Sequence, residues 1–186
     1  HLLESLSWVG LTGETRVLSL GVNAGDELAL ALASLSASER EKIRPGQWVG
    51  VDHSQSAIEL ARERHPAPAL TWRVADLRAL DDLSLGKFDL IICLNTLQSA
   101  LLDEQEEVKR WARGHLSPRG SLILSFPNSR YVGTHHVYGD FQMSAHKPTP
   151  SKLLKTIAGL QRYLHQHRFV TQVKGKYTMF LNARRR

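Results

Sequence analysis

The 186-residue sequence predicts an α/β protein with a doubly wound, mostly parallel seven-stranded sheet and helices on both faces. Short apolar segments of strand length alternate with helical patterns through most of the chain, which is typical of a parallel sheet. The end of the chain differs, because residues 168–183 form two strand-like runs joined at Lys174-Gly175 and predict an antiparallel hairpin. We place strands at 16–21, 47–52, 69–75, 87–94 and 120–126, and helices near 25–36, 54–64, 103–115 and 151–166.

Length and composition favour a single globular domain over residues 1–186. Hydrophobic residues make up 42% of the chain and charged residues 23%, which are ordinary values for a protein that buries a core. No apolar run approaches the roughly 20 residues that span a bilayer, and no secretory signal is found, so we expect a cytoplasmic protein without membrane contact. The single cysteine, Cys93, lies within an apolar segment, which favours core packing.

The first predicted strand runs directly into a glycine turn. Gly21 and Gly25 follow apolar residues and precede a helical pattern, so the first N–H groups of the helix are free to bind a ligand. Glycine also permits a positive φ, or a close ligand approach, that a side chain forbids. The pattern is typical of a nucleotide cradle, although a tight strand-to-helix turn without a ligand can carry the same two glycines.

Acidic residues end the next two predicted strands. Asp52, followed by His53, ends the second strand, and Asp76, followed by Leu77, ends the third. In a doubly wound sheet an acid at the tip of the second strand lies beside the glycine turn, where it can accept hydrogen bonds from both hydroxyls of a ribose. The alternative for Asp52 is an ordinary N-cap, because a helical pattern follows it.

These strand ends together resemble the motifs of the class I S-adenosylmethionine-dependent methyltransferases, and the resemblance runs from about Thr15 to Ala183. It implies a Rossmann-like sheet in which the glycine turn cradles the methionine part of S-adenosylmethionine, Asp52 holds the ribose and Asp76 meets the adenine amino group. The segment 87–98 resembles the fourth motif of the family, whose end faces the transferable methyl group. The residues expected to contact the cofactor are Ser19, Gly21, Val22, Asn23, Gly25, Asp52, His53, Asp76, Leu77, Asn95 and Thr96.

Two residues of the glycine turn depart from the family pattern. The family usually has an acid two residues before the first glycine and a third glycine midway through the turn, whereas this chain has Ser19 and Asn23. Asparagine tolerates a positive φ better than most residues, so we expect the turn to form. The missing acid removes a common anchor for the amino group of the cofactor.

Positive charge is concentrated in the last third of the chain. Residues 1–126 carry 13 Lys and Arg against 17 Asp and Glu, whereas residues 127–186 carry 11 against one. By the strand order of the family, this basic third builds the substrate side, where it would attract an anionic acceptor. The alternatives are a solvated basic face and binding of RNA. The residues concerned are Lys147, Lys152, Lys155, Arg162, Arg168, Lys174, Lys176 and Arg184–Arg186.

The segment 127–150 shows no clear periodicity and is interpreted as a lid or binding loop, or else as a disordered one. It leaves the sheet at the carboxyl edge, where ligands bind, so His136, His135 and Tyr138 are the candidates for a catalytic base, together with Tyr131 for shaping the pocket. Loop histidines with no role beyond solvation are the alternative. The histidines and Asp140 fit no metal-ligand spacing, so no metal is expected.

The sequence therefore predicts an S-adenosylmethionine-dependent methyltransferase that acts on an O or N nucleophile of an anionic or polar small molecule. Residues 15–126 would bind the cofactor and residues 127–186 the acceptor. A tRNA or rRNA methyltransferase is the first alternative, and a non-catalytic binding subunit is the second. A nicotinamide-dependent oxidoreductase is least favoured, because its G-x-G-x-x-G fingerprint is missing. The sequence does not indicate an oligomeric state.

Overall fold

A seven-stranded mixed sheet forms the centre of the protein. The computed structural model describes residues 1–98, 102–128, 130–132, 135–138 and 150–186. The strands are β1 (Val17–Leu20), β2 (Trp48–Asp52), β3 (Leu70–Val74), β4 (Phe88–Leu94), β5 (Leu116–Pro127), β6 (Arg130–Val132), β7 (His135–Tyr138), β8 (Phe169–Gly175) and β9 (Thr178–Arg185). The α-helices are α1 (Leu2–Val9), α2 (Asp26–Ser34), α3 (Ala37–Arg40), α4 (Gln55–Arg64), α5 (Glu104–Gly114) and α6 (Pro150–Gln166), with a 3₁₀ helix over Leu77–Leu83.

The strand order is β3-β2-β1-β4-β5-β9-β8. Strands β1 to β5 pair in parallel, and β9 is antiparallel to both β5 and β8. After β3 the chain crosses back and adds β4 on the other side of β1, so β1 and β4 flank the topological switch point. In open α/β sheets, ligands bind in the crevice at the carboxyl ends of the strands at this point. The predicted fold class is confirmed.

Helices cover both faces of the sheet, so the central strands are buried on both sides. On one face Leu18 and Leu20 of β1 join a buried cluster with Trp111 of α5 and Leu160 of α6. On the other face Val17 belongs to a second cluster, whose helical members include Leu6 of α1, Leu28 of α2 and Ile58 of α4. Burial on both faces explains why these strands are continuous apolar runs without alternating polar residues.

The structure differs from the sequence prediction in several elements. Helices α1 and α3 and the 3₁₀ helix were not anticipated, and β5 begins at Leu116, four residues earlier than expected. The turn of the closing hairpin is Lys176-Tyr177, because β8 extends to Gly175. Part of the predicted loop 127–150 is a two-stranded antiparallel ribbon of β6 and β7, whereas 139–149 lies outside the described residues. The prediction of a loop is therefore wrong for residues 130–132 and 135–138.

Candidate cofactor site

The turn after β1 has the left-handed backbone that its sequence predicts. Gly21, Asn23 and Gly25 have φ values of 71°, 46° and 81°. The N–H groups of Gly21 and Val22 both donate to the carbonyl of Val51, at 2.8 and 3.2 Å, which ties the turn to the end of β2. Asn23 therefore replaces a glycine at a position of positive φ, as expected, and the turn forms.

Packing within the protein accounts for glycine at both ends of this turn. A Cβ on Gly21 would lie 2.2 Å from Oγ1 of Thr96, and a Cβ on Gly25 would lie 2.3 Å from the ring of Trp72. The turn thus lies against the end of β4 on one side and against β3 on the other. A side chain at either glycine would force these elements apart in addition to straining the backbone.

Asp52 is buried at the end of β2, with 6% of its surface exposed. Its Oδ2 accepts the N–H of Asn23 and its Oδ1 accepts the N–H of Ser54, each at 2.9 Å. The imidazole Nδ1 of His53, an exposed residue, lies 3.3 Å from Oδ1. The N-cap of α4 is Ser54, whose hydroxyl accepts the N–H of Ala57. The N-cap alternative for Asp52 is therefore wrong, and its carboxylate joins the glycine turn to β2.

Asp76 begins the 3₁₀ helix that follows β3. Its carboxylate accepts the N–H of Arg78 at 2.8 Å and is paired with the guanidinium of the same residue. This guanidinium lowers the pKa of Asp76 to about 2, so the carboxylate is ionised at neutral pH. Leu77 beside it is buried. Contact between this pair and adenine stays a prediction.

The end of β4 faces the glycine turn across the switch point. Asn95 is exposed, with φ of 51°, and its N–H donates to the carbonyl of Ser125 at 3.1 Å. Its side-chain Oδ1 accepts the Ser125 hydroxyl, also at 3.1 Å. The Thr96 hydroxyl donates to the carbonyl of Leu94 at 3.0 Å. The two bonds between Asn95 and Ser125 join the ends of β4 and β5 and leave Asn95 at the rim of the crevice.

Glu27 is a residue of this site that the sequence analysis missed. Ser19 on β1 is fully buried, and its hydroxyl donates to Oε1 of Glu27 at 2.9 Å. Glu27 lies in the first turn of α2 and is partly buried. The pKa of Glu27 is raised to about 7, chiefly by burial. The hydrogen bonds from its own backbone N–H and from the Ser19 hydroxyl oppose this rise, and the charges of Asp26 and Asp52 add to it. The available signal was an acid at the start of the helix, eight residues after the serine that replaces the family's acid.

The predicted base candidates lie on the ribbon that follows β5. His135 pairs with Val132, His136 with Tyr131, and Tyr138 with Arg130. Strand β6 begins three residues after β5 ends, so the ribbon leaves the sheet at the carboxyl edge. The catalytic role of these residues stays a prediction. In the part of the chain that the structure describes, no group of three or more acidic, histidine or cysteine side chains could hold a metal ion.

The basic third of the chain is divided between the two edges of the sheet. Arg184 pairs with Ser121 at the level of Val17, where β1 begins, and Arg186 donates its N–H to the carbonyl of Arg168. These arginines, with Arg185, therefore lie at the amino edge, away from the glycine turn. The expectation that the whole basic third lines the substrate side is wrong for them, because the reversal of β9 carries the last residues back across the sheet.

Lysines of the same third lie at the carboxyl edge. The backbone carbonyl of Lys176, in the β8–β9 turn, accepts the side-chain amide of Asn128 at 2.7 Å, immediately after β5. Lys174 pairs with Glu4 of α1 at 3.1 Å. Lys147 lies outside the described residues. Across the described ranges, no helix is long and apolar enough to cross a membrane.

The fold is shared with solved methyltransferases of low sequence identity. Magnesium protoporphyrin IX methyltransferase from Synechocystis, solved with S-adenosylhomocysteine, is 19% identical with a TM-score of 0.63 over 100% of this chain and 80% of its own. An S-adenosylmethionine-dependent methyltransferase from Aquifex aeolicus is 15% identical, with a TM-score of 0.64 over 98% and 88%. Ribosomal protein L11 methylase from Lactobacillus delbrueckii is 16% identical, with a TM-score of 0.62 over 100% and 77%. No curated protein sequence matches the chain significantly.

A family model described as methyltransferase domain matches residues 18–122, which is more than half of the chain. The match runs from β1 into β5 and contains the glycine turn, Asp52, Asp76 and Asn95. The chain belongs to this family, and it is an enzyme that uses S-adenosylmethionine. The residues present fit that cofactor, because the turn and a carboxylate at the end of β2 meet at the switch point, with Asn95 at its rim.

Proposed function

We propose that the enzyme methylates an O or N nucleophile of an anionic or polar small molecule that binds at the carboxyl edge, between the end of β4 and the β8–β9 turn. The observation that supports this most strongly is the position of Lys176. The β8–β9 turn is held to Asn128 by two hydrogen bonds, at 2.7 and 2.8 Å, and so lies at the same edge as the glycine turn. A lysine there attracts an anion toward the cofactor.

The part of the cofactor site formed by β1, β2 and β3 would hold S-adenosylmethionine through the residues already described. Asp52 would accept hydrogen bonds from the ribose hydroxyls, and Asp76 with Leu77 would lie at the adenine. Gly21 and Val22 would border the methionine part, leaving Asn95 and Thr96 toward the methyl group. Each of these positions follows from the carboxyl ends of adjacent strands meeting at one crevice.

S-adenosylmethionine supplies a methyl group that is already activated on a positively charged sulfur. The protein then needs to align the acceptor and to remove a proton from its O–H or N–H group. His136 would be the base, with His135 and Tyr138 as neighbours on β7. An imidazole suits this task because its unperturbed pKa of about 6.5 leaves much of it neutral at pH 7.

The nature of the acceptor is tested with tritium-labelled S-adenosylmethionine. The protein is incubated separately with a metabolite extract and with total RNA, and label is measured in each after the cofactor is removed. We expect label in anionic or polar small molecules retained on anion exchange. Label found only in RNA would contradict the proposal and would establish the RNA alternative instead.

Two charge-reversal variants test whether the carboxyl edge guides the acceptor. Lys176→Glu should slow methylation of an anionic acceptor, and added salt should reduce the difference by screening it. Arg186→Glu makes the same change of net charge at the amino edge and should leave the rate unaltered. Equal changes in the methylation rate in the two variants would show that the rate depends on net charge alone, and would contradict a role of the carboxyl edge in guiding the acceptor.

His136→Ala tests the catalytic base. We expect turnover to fall by about 10²- to 10⁴-fold, because general base catalysis contributes that much, while binding of S-adenosylhomocysteine stays unchanged. His167→Ala, at an exposed histidine directly after α6, makes the same change outside the candidate residues and should leave turnover unchanged. A His136→Ala variant with full turnover would contradict this assignment.

A further inference from the structure

Three carboxylates surround the glycine turn, and Glu27 is the one whose charge is least compensated. Asp26 is paired with the imidazole of His65 at 3.2 Å. Asp52 accepts two backbone N–H groups. Glu27 accepts the neutral hydroxyl of Ser19, and among the described side chains no lysine, arginine or histidine forms an ion pair with it. A carboxylate in this situation is poised for a cation from outside the chain.

Glu27 lies beside β1 and the glycine turn, the elements that form one side of the switch point. Ser19 lies on β1, level with Ile92 of β4, and the thiol of Cys93 on β4 is close enough for the charge of Glu27 to help raise its pKa. Asp52 at the end of β2 and Asp26, the neighbour of Glu27 on α2, both act on Glu27 by charge repulsion and raise its pKa. None of these groups carries a positive charge. The hydrogen bond to Ser19 therefore holds the carboxyl group against β1, at the start of α2 and directly after the glycine turn.

A purely structural role does not explain an ionisable group at this position. A glutamine would accept the same hydrogen bond from Ser19 without placing a charge in a partly buried site that already holds two other carboxylates. A carboxylate gains over an amide at such a position where its charge meets a cation. The hydrogen bond from Ser19 then fixes the orientation of the carboxylate, whose remaining lone pairs can accept from a ligand.

We propose that Glu27 binds the ammonium group of the methionine part of S-adenosylmethionine, with Ser19 as the residue that positions its carboxylate. The proposal rests on the cofactor assignment made above. An ammonium offers three N–H donors and a full positive charge, so it forms charge-assisted hydrogen bonds with a carboxylate. The sulfonium has no donor, and the ribose hydroxyls carry no charge, so neither matches an uncompensated carboxylate as well. The acid that position 19 lacks is thereby supplied from α2.

The proposal is tested by binding two ligands that differ in the methionine part. S-adenosylhomocysteine carries the ammonium, whereas 5′-methylthioadenosine lacks the whole amino-acid group. By isothermal titration calorimetry, Glu27→Gln should weaken S-adenosylhomocysteine by tenfold or more and leave 5′-methylthioadenosine within twofold, because a charge-assisted bond is replaced by a neutral one. Glu63→Gln, on the exposed face of α4, makes the same charge change and should alter neither.

A reciprocal exchange distinguishes a displaced acid from a general loss of site structure. The double variant Ser19→Asp/Glu27→Ser returns a carboxylate to β1 and a hydroxyl to α2, and it should bind S-adenosylhomocysteine more tightly than Glu27→Ser alone. Thermal unfolding of each variant confirms that it is folded. Equal weakening of both ligands by Glu27→Gln, or no weakening of either, would overturn the proposal.

The pH dependence of binding gives an independent readout. Because the pKa of Glu27 is about 7 without ligand, the ammonium must displace a proton below that pH, and affinity should rise about tenfold from pH 6 to pH 8 relative to Glu27→Gln. Parallel pH profiles would overturn the role of Glu27. A wild-type protein that binds 5′-methylthioadenosine but not S-adenosylhomocysteine would also overturn it. A protein that binds neither would contradict the cofactor assignment and this proposal together.

Discussion

The partly buried carboxyl group of Glu27 should contribute less stability at neutral pH than at pH 5. In an unfolded chain this group has a pKa of 4.5, and in the folded protein burial raises the pKa to about 7. The folded state therefore binds more protons than the unfolded state between these pH values, so the free energy of unfolding falls as the pH rises through them. Above pH 8 the full cost of ionisation is about 2–3 kcal/mol, allowing for the partial exposure of the side chain.

Replacing Glu27 by glutamine should remove this cost, because the amide stays neutral at every pH. Urea unfolding of wild type and Glu27→Gln should give similar free energies at pH 5 and a variant more stable by about 2–3 kcal/mol at pH 8. Glu63→Gln serves as the control on an exposed glutamate. A difference between wild type and Glu27→Gln that stays constant from pH 5 to pH 8 would refute the reasoning, since a contact without ionisation has no such dependence.

Three further predictions concern the same crevice. Asp52→Asn should lower cofactor affinity and also destabilise the fold by about 1–3 kcal/mol, because both carboxylate oxygens accept backbone N–H groups; calorimetry and urea unfolding measure the two effects. Gly25→Ala should destabilise by about 2–4 kcal/mol in urea unfolding, because φ is 81° and the new methyl group would meet the Trp72 ring. Cys93, fully buried and with its pKa raised by burial, should resist iodoacetamide in the folded protein and react only after unfolding. Full affinity in Asp52→Asn, unchanged stability in Gly25→Ala or rapid labelling of Cys93 would each contradict the corresponding step.

The strands that build the cofactor crevice were predictable because their sequence signals are local. Strand β1 is buried along its whole length, and β2 likewise, so both are short apolar runs that end where polar residues or glycine begin. The left-handed turn was equally predictable from the sequence, since glycine and asparagine are the residues that adopt positive φ at low cost. The position of Asp52 at the end of β2 was predicted correctly. Its burial was not, because an acid at the end of a strand can be either buried or exposed to solvent.

Other features depend on contacts that a linear pattern does not contain. Helix α1 has eight residues and is packed through Leu6 on the sheet, too short for its periodicity to be evident. The hydrogen bond between Ser19 and Glu27 could be predicted only from the way α2 packs back against β1. The basic residues of the last third lie at two different edges of the sheet, and this could be predicted only from the direction of β9. If β9 ran parallel to β5, Arg184 and the residues after it would lie at the carboxyl edge instead.

The antiparallel course of β9 has a practical consequence for handling the protein. Because β9 begins beside the cofactor crevice and runs back to the amino edge, Arg186 lies on the side of the sheet opposite to the glycine turn. A surface anchor attached to the side chain at position 186 would therefore hold the molecule with the crevice facing outward. Immobilised in this orientation, the enzyme would present its cofactor edge to ligand solutions, which suits surface-based measurement of the affinities discussed above.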